Sequence, residues 1–323
     1  MTHARDTSGA TVRRGQEHFV APVDETPLLA VDTLNTDVKP RSLWSQAWRD
    51  LRRNPMFIVS AVLIALVVTV AVFPRLFTDL DPYSQGACNL ADNYGGPEPG
   101  HPFGFDRQGC DVYSRVIFGA RPSVIVGVVT TIGVFVVGGL IGSVAGWFGG
   151  WIDAILSRLT DIFFAIPLIL AAIVVGQVFE LNAITLSLIL VAFGWTAIAR
   201  IARGSVMSVM NSEFITASKA LGATSAQNLF RHVVPNAIAP VIVTAMVNLG
   251  VYIVLEATLS FLGVGLPAST ISWGTDISTA QGALRVRPEL LFYPSGALAI
   301  TILSFIMLGD AVRDALDPKT KKR

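Results

Sequence analysis

Six long apolar stretches, separated by polar segments, set the pattern of this chain. Each runs for at least 18 residues, and Glu256 is the only charged side chain within any of them. About 20 residues of α-helix cross a hydrocarbon core of about 30 Å, and a helix satisfies its own backbone hydrogen bonds in lipid. The pattern predicts an all-α polytopic membrane protein with six transmembrane helices, at residues 56–73, 124–148, 162–179, 181–199, 237–263 and 292–309.

Composition agrees with a membrane as the solvent. Hydrophobic residues make up 52% of the chain and charged residues 15%, and the mean hydropathy is +0.58. This is more apolar surface than a single soluble core needs. The net charge is only +1, and no basic stripe with interleaved aromatic residues is present. We therefore expect the lipid bilayer as a partner and no nucleic acid.

The distribution of basic residues predicts the orientation. With the N-terminus in the cytoplasm, the cytoplasmic segments carry 18 of the 24 lysine and arginine residues. The positive-inside rule therefore favours both termini inside, in a multi-pass protein of the cell (inner, cytoplasmic) membrane. The first apolar stretch begins only at residue 56 and has no small-residue cleavage site after it. We expect it to remain as an anchor and not to be removed as a signal peptide.

The polar segments divide the chain further. Residues 1–41 have the composition of a disordered cytoplasmic tail. Residues 42–55 carry an apolar face opposite three arginines and predict an amphipathic helix on the inner membrane surface. The six-helix permease domain is expected at 56–318. Its predicted loops are external at 78–120 and 264–291 and cytoplasmic at 200–236, and a short basic tail follows at 319–323.

Both cysteines, Cys88 and Cys110, lie in the first predicted external loop. On that oxidising side a disulfide is plausible and would stabilise the loop by about 3 kcal/mol. The alternative is two free thiols, because sequence does not show that the two Cβ atoms meet.

Several residues in and near the spans are candidates for packing or for a pathway. Glycines at 138, 142 and 146 place three small residues on one helix face and predict close approach of another helix. Pro167 predicts a kink. Glu256 is either part of the transport pathway or a buried structural hydrogen-bonding group. Two sets of neighbouring charges predict local pairs: Asp153, Arg158 and Asp161, and Asp310 with Arg313.

The predicted cytoplasmic loop 200–236 has the signals of two short helices. Ser212 is placed to cap the first, and Gly222 is placed to end it in a left-handed conformation. Thr224 and Gln227 match a capping box for the second, which Pro235 is expected to end. The first helix would carry an apolar stripe in need of a partner, formed by Phe214, Ala217 and Leu221.

This loop resembles that of a known family. Residues 213–222, followed by Pro235, are similar to the "EAA" loop of ABC-importer permeases, whose helix docks in a groove of a separate ATPase subunit. Segments 101–121, 259–274 and 309–318 resemble the dipeptide, oligopeptide and nickel permease subfamily, in particular the C-type permease of the pair. The resemblance assigns ATPase coupling to Glu213, Phe214, Ala217, Ala220, Leu221 and Gly222.

The resemblance implies a type I ABC importer permease fold and a set of partners. These are a second homologous permease subunit, two ATPase subunits that bind ATP and Mg, and an extracytoplasmic substrate-binding protein. The chain has no G-x-x-x-x-G-K-[ST] phosphate loop, so we expect it to hold no cofactor and to hydrolyse no ATP itself. Peptide is the expected cargo, with nickel or another small solute as the alternative. The alternative classes are a secondary transporter or channel and an intramembrane enzyme. The sequence shows no inverted repeat or midplane charge relay typical of the former, and no H-E-x-x-H or G-x-S-x-G motif typical of the latter.

Overall fold

The computed structural model describes residues 43–316, except for the side chains of residues 43, 44 and 46. This part of the chain consists of helices and connecting loops, which confirms the predicted all-α architecture for it. The predicted tails at 1–41 and 319–323 lie outside the described residues. In chain order the α-helices are α1 (Leu43–Leu51), α2 (Pro55–Val72), α3 (Val112–Phe148), α4 (Gly150–Phe164), α5 (Leu168–Gly176), α6 (Ala183–Gly194), α7 (Thr196–Met210), α8 (Glu213–Ala220), α9 (Ser225–Asn228), α10 (Val234–Phe261), α11 (Trp273–Gln281) and α12 (Glu289–Leu316).

Four helical elements are long and apolar enough to cross a membrane. They are α2, α3, α12, and α10 together with the turns that lead into it. Two bent helix pairs raise the number to six if each pair is one span. The bend is 74° between α4 and α5 and 48° between α6 and α7. By length and composition, the described part of the chain therefore has four to six spans.

The break between α4 and α5 lies at Pro167, where a kink was predicted. Proline has no backbone N–H and disfavours helical geometry in the residue before it. Helix α4 accordingly ends at Phe164, and α5 begins at Leu168. The predicted span 162–179 is thus not one helix, and residues 153–161 belong to α4 and not to a short turn.

The break between α6 and α7 lies at Trp195. Two side chains donate hydrogen bonds to backbone carbonyls at this break. The Trp195 indole donates to the Ala192 carbonyl (3.1 Å), and the Tyr252 hydroxyl donates to the Gly194 carbonyl (3.4 Å). Beyond the break, α7 runs on to Met210. Residues 200–210 of the predicted cytoplasmic loop 200–236 are therefore helical and continue α7.

The glycine repeat of α3 makes the predicted close helix contact, and its partner is α7. A Cβ atom added at Gly138 would lie 2.5 Å from the Trp195 carbonyl oxygen, and one at Gly146 would lie 2.8 Å from that of Arg203. A Cβ atom at Gly142 would overlap the Ala199 carbonyl. The backbones of the two helices therefore touch along two turns of each helix.

The N-terminal helices are separated by a capped turn. Helix α1 ends at Leu51, four residues earlier than predicted, and the Asn54 side chain accepts a hydrogen bond from the Met56 amide (2.9 Å) at the start of α2. Leu51 is buried against Ala311 and Val312 of α12. The helix predicted to lie on the membrane surface therefore also packs against the last helix.

The segment between α2 and α3 is shorter than the predicted loop 78–120. Asp111 accepts a hydrogen bond from the Ser114 amide (2.7 Å), and α3 begins at Val112 instead of at residue 124. The segment contacts the one between α10 and α12, since the Tyr83 hydroxyl accepts a hydrogen bond from the Ile271 amide (3.1 Å). The Phe103 ring also stacks on the Tyr293 ring of α12, at 4.0 Å between centroids. That second segment, predicted as the loop 264–291, contains α11.

A largely buried arginine near the start of α3 joins the same two segments. Arg115 donates to Asp276 of α11, and its guanidinium lies 3.6 Å from Asp106 in the first segment. Burial raises the pKa of the Asp276 carboxyl above its ordinary value, while the charge and hydrogen bonds of Arg115 oppose that shift. The two segments therefore form one layer at the N-terminal end of α3.

Candidate coupling surface

Helix α8 begins as predicted, but its first turn is held differently. Ser212 occupies the cap position, yet its side chain makes no capping bond. The hydroxyl instead donates to the Val209 carbonyl at the end of α7 (2.5 Å). The capping role predicted for Ser212 is therefore wrong, because the nearby carbonyl competes for the hydroxyl. Glu213 lies in the first turn, and only two residues separate α7 from α8.

The end of α8 follows the prediction. Gly222 has a φ of 85°, in the left-handed region that favours glycine. The Ala223 amide donates to the Ser218 carbonyl (3.1 Å), and the Gly222 amide donates to that of Lys219 (3.0 Å). These bonds use carbonyls that the helix end would leave free. The chain therefore reverses sharply after Leu221.

One residue that the sequence did not single out anchors α8. Ile215 is 1% exposed and packs in a cluster with Val206 of α7, Val233, and Ala237 of α10. The Ser218 hydroxyl, one turn further along, donates to the buried Asn228 side chain (2.7 Å). The helical spacing in the sequence could have indicated this inner face, because Ile215 and Ser218 are three residues apart and lie on the same side of the helix.

The turn after α8 leads directly into the long helix α10. Thr224 and Gln227 form both halves of the predicted capping box, at 2.9 and 3.3 Å. A π-helical turn, Leu229–Val233, then joins α9 to α10. Pro235 does not end a short helix, so that prediction is wrong. It lies in the first turn of α10, directly after the π-helical turn.

The outer face of α8 is exposed and partly apolar. Leu221 is 89% exposed, and Phe214 is 47% exposed beside the His232 ring, at 6.4 Å between centroids. Helix α8 is thus held from one side and exposes apolar side chains on the other. The structure exposes all six predicted coupling residues: Glu213, Phe214, Ala217, Ala220, Leu221 and Gly222.

The other predicted site residues lie outside this surface. Glu256 is fully buried in α10, and its Oε1 atom accepts hydrogen bonds from Ser260 and Ser272, both at 3.0 Å. Cys88 and Cys110 are joined through their Sγ atoms in the segment between α2 and α3. Neither feature contacts α8, so the predicted sites form three separate places in the fold.

The fold and this surface define a class: an integral membrane protein that exposes a short helix, α8, between α7 and the long helix α10. A profile of the family described as "Binding-protein-dependent transport system inner membrane component" matches residues 138–322. A second profile, "N-terminal TM domain of oligopeptide transport permease C", matches residues 42–97. The chain belongs to the family of binding-protein-dependent transport permeases.

Individual relatives match over nearly the whole chain. The oligopeptide transport system permease protein OppC of Bacillus subtilis is 37% identical over 91% of this chain and 95% of its own. The dipeptide transport system permease protein DppC of Alkalihalophilus pseudofirmus is 34% identical over 87% and 91%. The glutathione transport system permease protein GsiD of Escherichia coli (strain 536) is 33% identical over 93% and 97%.

Proposed function

We propose that this chain is the transmembrane permease subunit of an ATP-driven importer of short peptides, in which α8 docks on an ATPase subunit. The observation that carries the proposal is the construction of α8. Its inner face is anchored by Ile215, and its outer face exposes Phe214 and Leu221. The peptide cargo is supported by the names of the relatives, which refer to oligopeptide, dipeptide and glutathione transport.

The proposed assembly contains four further subunits besides this chain. Two ATPase subunits would bind ATP and Mg, a second homologous permease would complete the pathway, and an extracytoplasmic protein would deliver the peptide. The sequence supports separate ATPases, because it contains no phosphate-binding loop of its own. Exposed apolar side chains along α2, α5 and α6 support contact with lipid and with a second permease.

We further propose six spans, with both bent helix pairs crossing the cell membrane and both termini in the cytoplasm. This orientation places α8 with most of the lysine and arginine residues on the inner side. It also puts α8 where ATP is available. The segment between α2 and α3, with Cys88 and Cys110, then faces outward, where a disulfide is retained.

The docking proposal is tested with Leu221→Asp. The Leu221 side chain is almost fully exposed, so a charge there leaves the fold intact and disrupts only an apolar interface. Loss of an apolar anchor costs about 2 kcal/mol or more, which lowers affinity by more than about tenfold. We expect the amount of ATPase that co-purifies with the tagged permease to fall accordingly, together with peptide-stimulated ATP hydrolysis in proteoliposomes.

The matched control is Ser225→Asp, which adds the same charge four residues further on. Ser225 lies in the first turn of α9, where a negative charge suits the helix dipole. This variant should retain ATPase binding. Equal loss in both variants would point to a general charge effect and not to docking by α8. Peptide uptake by the permease alone, without nucleotide, would refute the proposed function.

Thiol labelling tests the proposed disulfide and the orientation together. The chain has only two cysteines, so any label reports on Cys88 and Cys110. In intact cells, a membrane-impermeant maleimide should label neither until a reductant is added, and both afterwards. Labelling without reductant would show free thiols. Labelling only after the inner membrane face is opened would place the segment on the cytoplasmic side.

A further inference from the structure

Helix α4 lies between two breaks in the chain. Before it, Gly149 and Gly150 have φ values of 62° and 54°, which interrupt the helix after α3. After it, the chain bends by 74° at Pro167 into α5. Neither end continues a neighbouring helix, so the position of α4 depends on the side chains that hold it.

Arg203 of α7 makes one of these contacts. Its guanidinium binds Asp153 of α4 through two parallel hydrogen bonds, Nε to Oδ1 at 2.5 Å and Nη2 to Oδ2 at 2.7 Å. The Ser157 hydroxyl also donates to Asp153 (3.1 Å). A bidentate arginine–carboxylate pair fixes orientation as well as distance. The local pair predicted among Asp153, Arg158 and Asp161 forms between Arg158 and Asp161 (3.7 Å). Asp153 instead binds an arginine on another helix.

Arg200, one turn earlier on α7, makes the second contact. It donates to Asp161 of α4 (2.9 Å), and its guanidinium lies 3.8 Å from the centroid of the Phe164 ring. Arg158 also approaches Asp161, at 3.7 Å, but its side chain is 86% exposed. We name the pairs Asp153–Arg203 and Asp161–Arg200 the α4–α7 ion pairs.

The same part of α7 is fixed on its other side and is tied to α8. The carbonyls of Ala199 and Arg203 lie so close to Gly142 and Gly146 of α3 that a Cβ atom at either glycine would collide with them. At its end, α7 holds α8 through the Ser212 hydroxyl and through Ile215 packed on Val206. Helix α7 is therefore in contact with α3, α4 and α8 at once.

We propose that the α4–α7 ion pairs transmit the movement of α8 to α4 and, through the Pro167 bend, to α5. The proposal rests on the proposed function, in which an ATPase moves α8. Arg200 and Arg203 act in it as positioning residues. Because the pairs are partly exposed to solvent, their removal costs little stability and mainly removes the fixed geometry between the two helices.

The test measures motion and docking separately in the complete transporter. Spin labels at Val174→Cys of α5 and Leu303→Cys of α12, both at exposed positions, report the distance between these helices with and without ATP. Double substitution Arg200→Gln/Arg203→Gln should leave the amount of co-purified ATPase unchanged. The ATP-dependent change in the α5–α12 distance should be largely lost, because α7 no longer holds α4 in a fixed geometry.

Two variants sharpen the result. Arg158→Gln removes a neighbouring arginine with a weaker contact and should retain the distance change. The exchange Asp153→Arg/Arg203→Asp restores one pair with reversed charges and should recover more of the change than Arg203→Asp alone.

Three outcomes would overturn the proposal: an unchanged distance response in the double variant, loss of the ATPase from it, or no ATP-dependent response in the unsubstituted complex. Failure of the unsubstituted permease to bind any ATPase would instead refute the proposed function.

Discussion

Gly142→Ala is expected to destabilise the permease, although it adds a single methyl group. The new Cβ atom would overlap the Ala199 carbonyl, which belongs to the backbone of α7 and has no rotamer with which to yield. Overpacking of this kind costs about 1–3 kcal/mol or more. The two helices would have to separate along the whole glycine contact. Thermal unfolding of the purified protein in detergent, followed by light scattering, measures the effect.

The matched control lies three residues earlier on the same helix. A Cβ atom at Gly139 has no neighbouring atom within 4 Å. Gly139→Ala therefore adds helix propensity without a clash and should stabilise by up to about 1 kcal/mol. The same substitution thus has opposite signs at the two positions. Equal shifts in unfolding temperature at both would show that α3 and α7 do not touch at Gly142.

Features that depend on neighbours in sequence were the most predictable. The capping box of Thr224 and Gln227 and the left-handed Gly222 each need only a few adjacent residues to form. The repeat that includes Gly142 also predicted close packing, since a four-residue period marks one helix face. The repeat did not identify α7 as the partner helix, because which helix packs on this face of α3 depends on the rest of the fold.

Local signals failed where a second option was available nearby. Ser212 had both an amide to cap and the Val209 carbonyl to bond, and it took the carbonyl. Proline can follow the end of a helix or lie in its first turn, and Pro235 lies in the first turn of α10. The charges of Arg200 and Arg203 correctly signalled the end of the apolar stretch, but helix and membrane need not end at the same residue.

Contacts between distant residues were beyond prediction from one sequence. Asp153 pairs with a partner 50 residues away, and Arg115 with one 161 residues away. Many exposed charges offer similar pairings, and only the packing of the helices selects among them. No ion pair joins Asp310 to Arg313 within residues 43–316, although their spacing favoured one. Spacing alone is a weak guide where longer-range partners compete.

Glu256 is fully buried in α10 and makes hydrogen bonds with two serine side chains. Its Oε1 atom accepts the hydroxyls of Ser260 and Ser272. Each hydroxyl in turn accepts a backbone amide, from Leu266 and Thr275 respectively. Glu256 therefore connects α10 with the turn after it and with the start of α11. Of the two roles considered for this residue, the geometry supports the structural one.

Glu256→Gln and Glu256→Leu should accordingly behave very differently. Glutamine retains a carbonyl oxygen that accepts both hydroxyls, so stability and peptide uptake should stay close to those of the unsubstituted protein. Leucine leaves two buried hydroxyls without their acceptor, at a cost of about 1–3 kcal/mol for each unsatisfied group. We expect a lower unfolding temperature for Glu256→Leu, and proteolysis near α11 that the glutamine variant does not show.

The glutamine variant also separates structure from transport. If Glu256 served the pathway through its charge, Glu256→Gln would fold normally yet lose peptide-stimulated ATP hydrolysis and uptake. If its role is to hold α11 against α10, activity follows stability across the series, and Glu256→Leu loses both. Because the carboxyl group is fully buried between α10 and α11, the charge has no route to a passing peptide unless these helices part. Retained uptake in Glu256→Gln is therefore the expected result.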